Sequence, residues 1–204
     1  FLIKKYKKWK SGSFVNNIDR FKKLASHGQN PSSMIISCCD SRVHVTSIFG
    51  ADEGDFFIHR NIANLVPLYS PDSENFGTLA AIEYAIKVLK IKYLIILGHK
   101  NCGGIKSGHD LFLKKPNQKF EFIYKWLSIL KPVFDKIEKT QSEEAQIEQL
   151  EKESIKNSVN NLLSIPFVKE EIKNKNLSIH ALIHDIGSGE LKFLNSLTKE
   201  FEKL

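Results

Sequence analysis

An α/β domain is the architecture to expect from this chain: a central, mostly parallel β-sheet flanked by helices, with an extended N-terminal helix and a C-terminal antiparallel edge strand. Three observations lead there. The run Lys92–Gly98 is continuously apolar up to its glycine, so a strand built from it needs cover on both faces, as strands of parallel sheets do. Strand-like runs alternate with segments of helical periodicity. Near the end, Gly187-Ser188-Gly189 turns one strand back on a short partner, as in a hairpin.

Residues 2–27 read as helix, because Phe14, Ile18, Phe21 and Leu24-Ala25 recur at helical spacing. Gly28-Gln29-Asn30-Pro31 ends that pattern. A short buried strand, Met34–Ser37, follows, and Phe56–Arg60 is a second strand. Asn75–Lys90 is a helix with Leu79, Ile82, Ala85-Ile86 and Leu89 along one face. Lys92–Gly98 is the apolar strand already described. From Phe120 to Leu163 the chain is polar and helical, and its Glu138–Glu153 segment reads as an exposed loop and helix. Leu177–Ile186 is the next strand, with Glu190–Leu194 as its hairpin partner. No linker or internal repeat interrupts this order. One domain spans residues 1–204, in which 1–27 form a helical arm.

The 204 residues, 42% hydrophobic and 26% charged, suit one soluble domain with a sizeable core. Three cysteines necessarily leave one unpaired, which argues against a disulfide framework and for a reducing, cytoplasmic compartment. No apolar run approaches the ~20 residues of a membrane span, so no membrane partner is expected. The sequence starts at Phe1 rather than Met, which leaves room for an upstream segment, a cleaved targeting peptide included. The formal charge of +7 is carried largely by lysine, clustered most clearly in Lys4–Lys10. Without a nucleic-acid motif, these lysines read as solvated faces or a subunit contact, and no nucleic-acid partner is expected. The net field modestly favours small anions.

Two strand ends carry the chemistry. Cys38 follows Met34–Ser37, and His99 and Cys102 follow Lys92–Gly98. Ligand sites in open parallel sheets lie beyond the carboxyl ends of strands, so neighbouring strands would bring these three residues together. Two thiolates and an imidazole are a ligand set for catalytic zinc, with the fourth tetrahedral position open to water. Gly98, Gly103 and Gly104 permit the tight turn that carries His99 and Cys102 to one ion. Cys38 and Cys39 compete for the remaining position. Side chains of consecutive residues on an extended segment point oppositely, so one of the two faces the ion, and spacing leaves the choice open. His59, His180 and His184 on strands, and His27, His44 and His109 in loops or at helix ends, read as satisfied or solvent-facing.

Cys38-x-Asp40-Ser41-Arg42 followed by His99-x-x-Cys102-Gly103-Gly104 resembles the β-class carbonic anhydrases. The resemblance runs through most of the chain: residues 24–31, 59–67, 77–99, 160–170 and 183–191 look like family blocks in family order. It implies reversible hydration of CO2 to bicarbonate and a proton by attack of a zinc-bound hydroxide, with one Zn2+ per chain. It assigns Cys38, His99 and Cys102 to the metal and leaves Cys39 as the variable position. Asp40 then orients the nucleophile, and Arg42 pairs with Asp40 to keep it ionised. In the family's closed state this aspartate takes the fourth metal position, and Arg42 would be the switch. Gln29 matches a substrate hydrogen-bond donor, Phe57, Ile62 and Tyr84 the apolar wall around CO2, and Gly103 a close backbone approach to substrate. The family builds this pocket at a dimer interface, so a homodimer or dimer of dimers is implied, with wall residues drawn from the partner.

Two thiolates donate more charge than two imidazoles, so water at such a zinc should ionise at higher pH than in a three-histidine site, with activity climbing on the alkaline side. One departure separates the chain from bacterial members that hold an inhibitory bicarbonate on a Trp–Arg–Tyr triad. Arg60 matches the arginine, while the other two positions are Ile35 and His184. The likeness is therefore to the plant-like subgroup, without that control. Two rival readings use the same residues differently: a carbonyl sulfide or carbon disulfide hydrolase on the same zinc scaffold, and a non-enzymatic basic zinc-binding module. Redox chemistry at Cys38-Cys39 ranks last, because adjacent cysteines bridge with difficulty.

Overall fold

The computed structural model describes residues 1–71, 76–114 and 120–204. Six strands form one sheet in the order β2-β1-β3-β4-β5-β6. They are β1 (Ser33–Cys38), β2 (Phe56–Asn61), β3 (Tyr93–His99), β4 (Ser178–His184), β5 (Leu191–Leu194) and β6 (Phe201–Lys203). β1 to β4 run parallel, and β5 and β6 are antiparallel additions. Every residue of β1 is buried. Met34 and Ile36 enter one core with Leu94 and Ile96, and Ile35 enters another with Leu97, so the central strands are covered on both faces as their unbroken hydropathy requires.

The α-helices are α1 (Leu2–Trp9), α2 (Ile18–His27), α3 (Val45–Ile48), α4 (Phe76–Glu83), α5 (Gly103–Phe112), α6 (Phe122–Leu127), α7 (Lys131–Phe134), α8 (Glu143–Ser164) and α9 (Pro166–Lys173). The N-terminal arm is helical as expected, with a π-turn at Lys10–Phe14 and a break at Asn17. Neither α1 nor α2 buries a residue. The arm is held to the body by Arg20, which donates to the Glu53 carbonyl at 2.8 Å and pairs with Asp52 and Asp55. Within it Trp9, Phe14 and Phe21 pack on one another. The helix expected over Asn75–Lys90 is α4 followed by a π-turn, Tyr84–Val88; its expected first residue, Asn75, lies outside the described residues. No helix among the described residues is long and apolar enough to cross a membrane.

Two expectations change. Glu138–Glu153 is not simply exposed: it opens α8, whose 22 residues bury Gln146, Leu150, Glu151 and Ser154. That face is buried while largely polar, because Gln146, Glu151 and Ser154 are satisfied by hydrogen bonds while Leu150 packs into the apolar core. The Ser142 hydroxyl accepts from the Ala145 amide and starts the helix, and Glu143 and Glu144 sit in its first turn, where the dipole favours anions. The edge strand is also one further on than expected. β5 does pair with β4 across the Gly187–Gly189 turn, but β6 pairs with β5 and takes the edge.

Chain order reverses at β1, which has β2 on one side and β3 on the other. A crevice opens beyond the carboxyl ends of strands at such a switch point. Cys38 ends β1 and His99 ends β3.

Candidate metal centre

Cys38, His99 and Cys102 converge at this switch point. Their ligand atoms all lie within 4.8 Å of one another, and all three residues are buried. Cys38 Sγ and Cys102 Sγ are 3.9 Å apart. Two sulfurs each ~2.3 Å from a tetrahedral zinc stand about 3.8 Å apart, so the spacing fits. His99 Nδ1 lies 3.0 Å from the Lys100 carbonyl, to which it can only donate, leaving Nε2 with a bare lone pair. That nitrogen is buried with no hydrogen-bond partner among the described residues, and a metal ion would satisfy it.

Cys38 rather than Cys39 turns inward: Cys38 is 3% exposed, whereas Cys39 is exposed, its amide donating to the Asn61 carbonyl at 2.9 Å. The Cys102 thiol donating to Cys38 pulls the Cys38 thiol down to about 4 against the opposing effect of burial. The same bond, with burial, pushes Cys102 strongly up. Burial pushes His99 down, and the Cys38 sulfur, the Lys100 carbonyl and the Asp40 carboxylate together more than offset it, so the ring is raised overall.

The glycines of the expected turn do other work. The left-handed residue between His99 and Cys102 is Asn101, at φ 54°. Gly104 instead lets α5 approach Ile62 and Ala63: a Cβ there would stand 2.7 Å from Ile62 Cγ2 and 3.1 Å from Ala63 Cβ. Gly98 does the same against α8, where a Cβ would lie 2.9 Å from Ile155 Cγ1.

Asp40 and Arg42 stand beside the centre. Asp40 Oδ1 accepts from the Arg42 amide at 3.0 Å and from Nε at 2.9 Å, and Oδ2 accepts from the guanidinium at 2.7 Å. This bidentate pair, against the opposing effect of partial burial, holds the carboxyl well below the usual carboxylate range. Arg42 also donates to the Asn101 carbonyl at 3.0 Å, which ties the Cys38 loop to the Cys102 loop. Asp40 Oδ2 lies 3.9 Å from His99 Nε2, within reach of whatever occupies the fourth corner. Arg60 braces the same loop from below, donating to the carbonyls of Cys38, Asp40 and Val43 at 2.8–3.0 Å.

The other expected site residues divide. Ile62 and Gly103 are beside the centre, Gly103 directly after Cys102 and Ile62 against Gly104. Phe57 and Tyr84 meet each other, ring centroids 5.8 Å apart, but not this centre. In the parallel register Phe57 pairs with Met34 and Asn61 with Cys38, so Phe57 sits four residues, on the order of 13 Å, back along the strand. Gln29 is exposed beyond the end of α2. One chain therefore does not bring Gln29, Phe57 and Tyr84 to its own sulfurs.

Glu151 is the residue that sequence reading missed. It is 4% exposed, and its Oε1 accepts the Cys102 amide at 2.8 Å. Burial raises its carboxyl. Its carboxylate meets the N-terminus of α5, where amides point outward and negative charge is favoured. Other histidines behave as expected of satisfied residues, His59 meeting Thr78 Oγ1 at 3.0 Å and His44 capping α3. His184 and His109 differ, each burying an Nδ1 without a partner among the described residues.

Comparison with known proteins agrees with this geometry. A family model described as carbonic anhydrase matches residues 33–191. The chain is 36% identical over 185 residues to β carbonic anhydrase 3 of Arabidopsis thaliana, covering 89% of this chain and 70% of that protein. It is 33% identical over 204 residues to a carbonic anhydrase of Synechocystis sp., covering 98% of this chain and 72% of that protein. Among solved structures, the β-carbonic anhydrase CcaA superposes with a TM-score of 0.91 at 30% identity, covering 100% of this chain and 90% of that one. A β-carbonic anhydrase of the ascomycete Sordaria macrospora, described as tetrameric, gives 0.80 at 31% identity, covering 95% of both chains.

Proposed function

Because the chain belongs to the carbonic anhydrases, in their β class, we propose that it catalyses zinc-dependent, reversible hydration of CO2 to bicarbonate and a proton. The observation that carries this reading is the meeting of Cys38 Sγ, His99 Nε2 and Cys102 Sγ within 4.8 Å, next to an ionised Asp40. The donor set and its spacing suit Zn2+, which when bound would supply the Lewis acidity that makes water a nucleophile.

The chain's own residues do the rest. Asp40 Oδ2 accepts the hydrogen bond of the attacking oxygen and turns a lone pair toward the carbon of CO2. Arg42 keeps Asp40 ionised and fixes its plane through two parallel bonds. With both its oxygens engaged by Arg42, Asp40 would be disfavoured as a fourth ligand to a bound ion. Ile62 presents an apolar surface to uncharged CO2, and Gly103 leaves room for substrate against the backbone.

Phe57 and Tyr84 complete the wall in a second copy, and Gln29 donates to substrate there. Their distance from their own chain's sulfurs supports a pocket shared between two subunits, as does the tetrameric description of the Sordaria relative. A homodimer or dimer of dimers follows. The substitutions at Ile35 and His184 favour the plant-like subgroup, and three free cysteines suit a reducing, cytoplasmic compartment.

Stopped-flow CO2 hydration with zinc quantified tests the reading. The parent should carry one zinc per chain and hydrate CO2. Cys38→Ser should lose both, and Cys39→Ser should keep both. Full zinc and rate in Cys38→Ser would overturn the assignment, and carbonyl sulfide hydrolysis outpacing CO2 hydration would move the substrate.

A further inference from the structure

We propose that His109, Asp110 and Glu143 form a second divalent-cation site, built from one imidazole nitrogen and two carboxylates, that ties α5 to the start of α8. Their ligand atoms all lie within 4.8 Å of one another. The site lies seven residues along α5 from Cys102, on the order of 10 Å from the first centre.

Gln146 fixes the tautomer of His109. The side-chain amide nitrogen of Gln146 donates to the Lys139 carbonyl at 3.2 Å and to the Gln141 carbonyl at 2.9 Å. Its oxygen therefore faces His109 Nε2, 3.2 Å away. An amide oxygen only accepts, so Nε2 carries the hydrogen, and the neutral ring leaves Nδ1 as a bare lone pair. Gln146 thus does for His109 what the Lys100 carbonyl does for His99: it occupies one ring nitrogen and aims the other.

The aimed nitrogen meets negative charge. His109 is fully buried, and its Nδ1 has no hydrogen-bond partner among the described residues. Asp110 Oδ1 stands 3.7 Å away, too far for a hydrogen bond. A lone pair facing a carboxylate is repulsive, and a cation between them turns the repulsion into ligation. Donors each ~2.1 Å from one ion are separated by up to about 4 Å, so this His109–Asp110 separation fits. Phe134 packs edge-on against the ring at 5.6 Å and helps to hold its orientation.

Lys106 occupies part of this space. Its ammonium lies 2.9 Å from Glu143 Oε1 and 3.7 Å from Asp110 Oδ2. It is half exposed and can swing into solvent when a doubly charged ion takes both carboxylates. One nitrogen and two oxygens, with no sulfur, suit Zn2+, Co2+ or Mn2+ rather than softer ions. Glu143 is the first residue of α8, the helix that carries Glu151, so an ion here would fasten together the two helices that bracket the Cys102 turn.

Protein loaded with a single equivalent of zinc per chain, which the two thiolates of the first centre would take, then equilibrated with Co2+ and analysed for both metals, tests this independently of the reaction. The parent should hold one zinc and one cobalt per chain. Asp110→Asn and Glu143→Gln, both on partly exposed positions, should each lose the cobalt while keeping the zinc and the CO2 hydration rate. Gln146→Leu, which releases the tautomer, should weaken cobalt binding about ten- to a hundredfold. Lys106→Met should strengthen it by removing the competing ammonium. A parent that takes up no cobalt beyond its zinc at saturation overturns the proposal, as does cobalt retained in full by the Asp110→Asn/Glu143→Gln double variant.

Discussion

Glu151 Oε1 receives the Cys102 amide at 2.8 Å, so a cysteine on one loop takes its backbone orientation from a helix 49 residues later. Removing that acceptor leaves a buried N–H unpaired, which costs about 1–3 kcal/mol. Glu151→Leu should therefore lower unfolding stability by that amount and weaken zinc retention about ten- to a hundredfold. Glu151→Gln keeps an accepting oxygen and should do much less of either. Denaturant melts and competition with a chelator measure the two effects.

Asp40 and Arg42 should act as a unit. Asp40→Asn keeps the shape but loses the charge, and CO2 hydration should fall by about 10²-fold or more with zinc content unchanged. Arg42→Lys should not restore an Arg42→Ala loss, because an ammonium lacks the fork that engages both Asp40 oxygens. Rate and zinc measured on the same samples separate an orienting role from a loss of metal.

Acid should destabilise the fold partly through His59. Burial lowers its ring below the ordinary value of 6.5. The folded state then binds fewer protons than the unfolded state, so this contribution is complete above pH ~6.5 and is lost as pH falls below it. Stability measured from pH 7.5 to 5 should decline, and His59→Gln should flatten the decline. An unchanged slope in the variant would remove His59 as a cause.

Bicarbonate should not inhibit cooperatively. Arg60 is committed to the carbonyls of Cys38, Asp40 and Val43, and Ile35 is buried in the core with Leu97. Neither is placed to receive an anion. Initial rates over a bicarbonate series should follow simple saturation, and a sigmoidal loss of activity would contradict this.

The sheet was legible because its central strands are unbroken apolar runs, a pattern with few other uses. The site was legible because Cys38 and His99 end two such strands, and adjacency at a switch point did the rest. Other features had no local signature. The choice between Cys38 and Cys39 rests on the direction of one side chain at a strand end, which family resemblance supplied and spacing did not. Glu151 and Gln146 lie on a face of α8 whose buried residues are largely polar, so hydropathy hides it. β6 has three residues, too few to show an alternation. Phe57 and Tyr84 matched the wall pattern, but sequence does not reveal that Phe57 lies at the far end of β2 from the register partner of Cys38, with Tyr84 packed against it.

Gly98 leaves no space for even a methyl group between β3 and Ile155. A side chain there would press on Ile155, on the same helix whose glutamate steadies the cysteine. A residue without a side chain thus reaches the cysteine turn through the helix packed against it, and its vacancy is as much a part of the site's architecture as the ligands are.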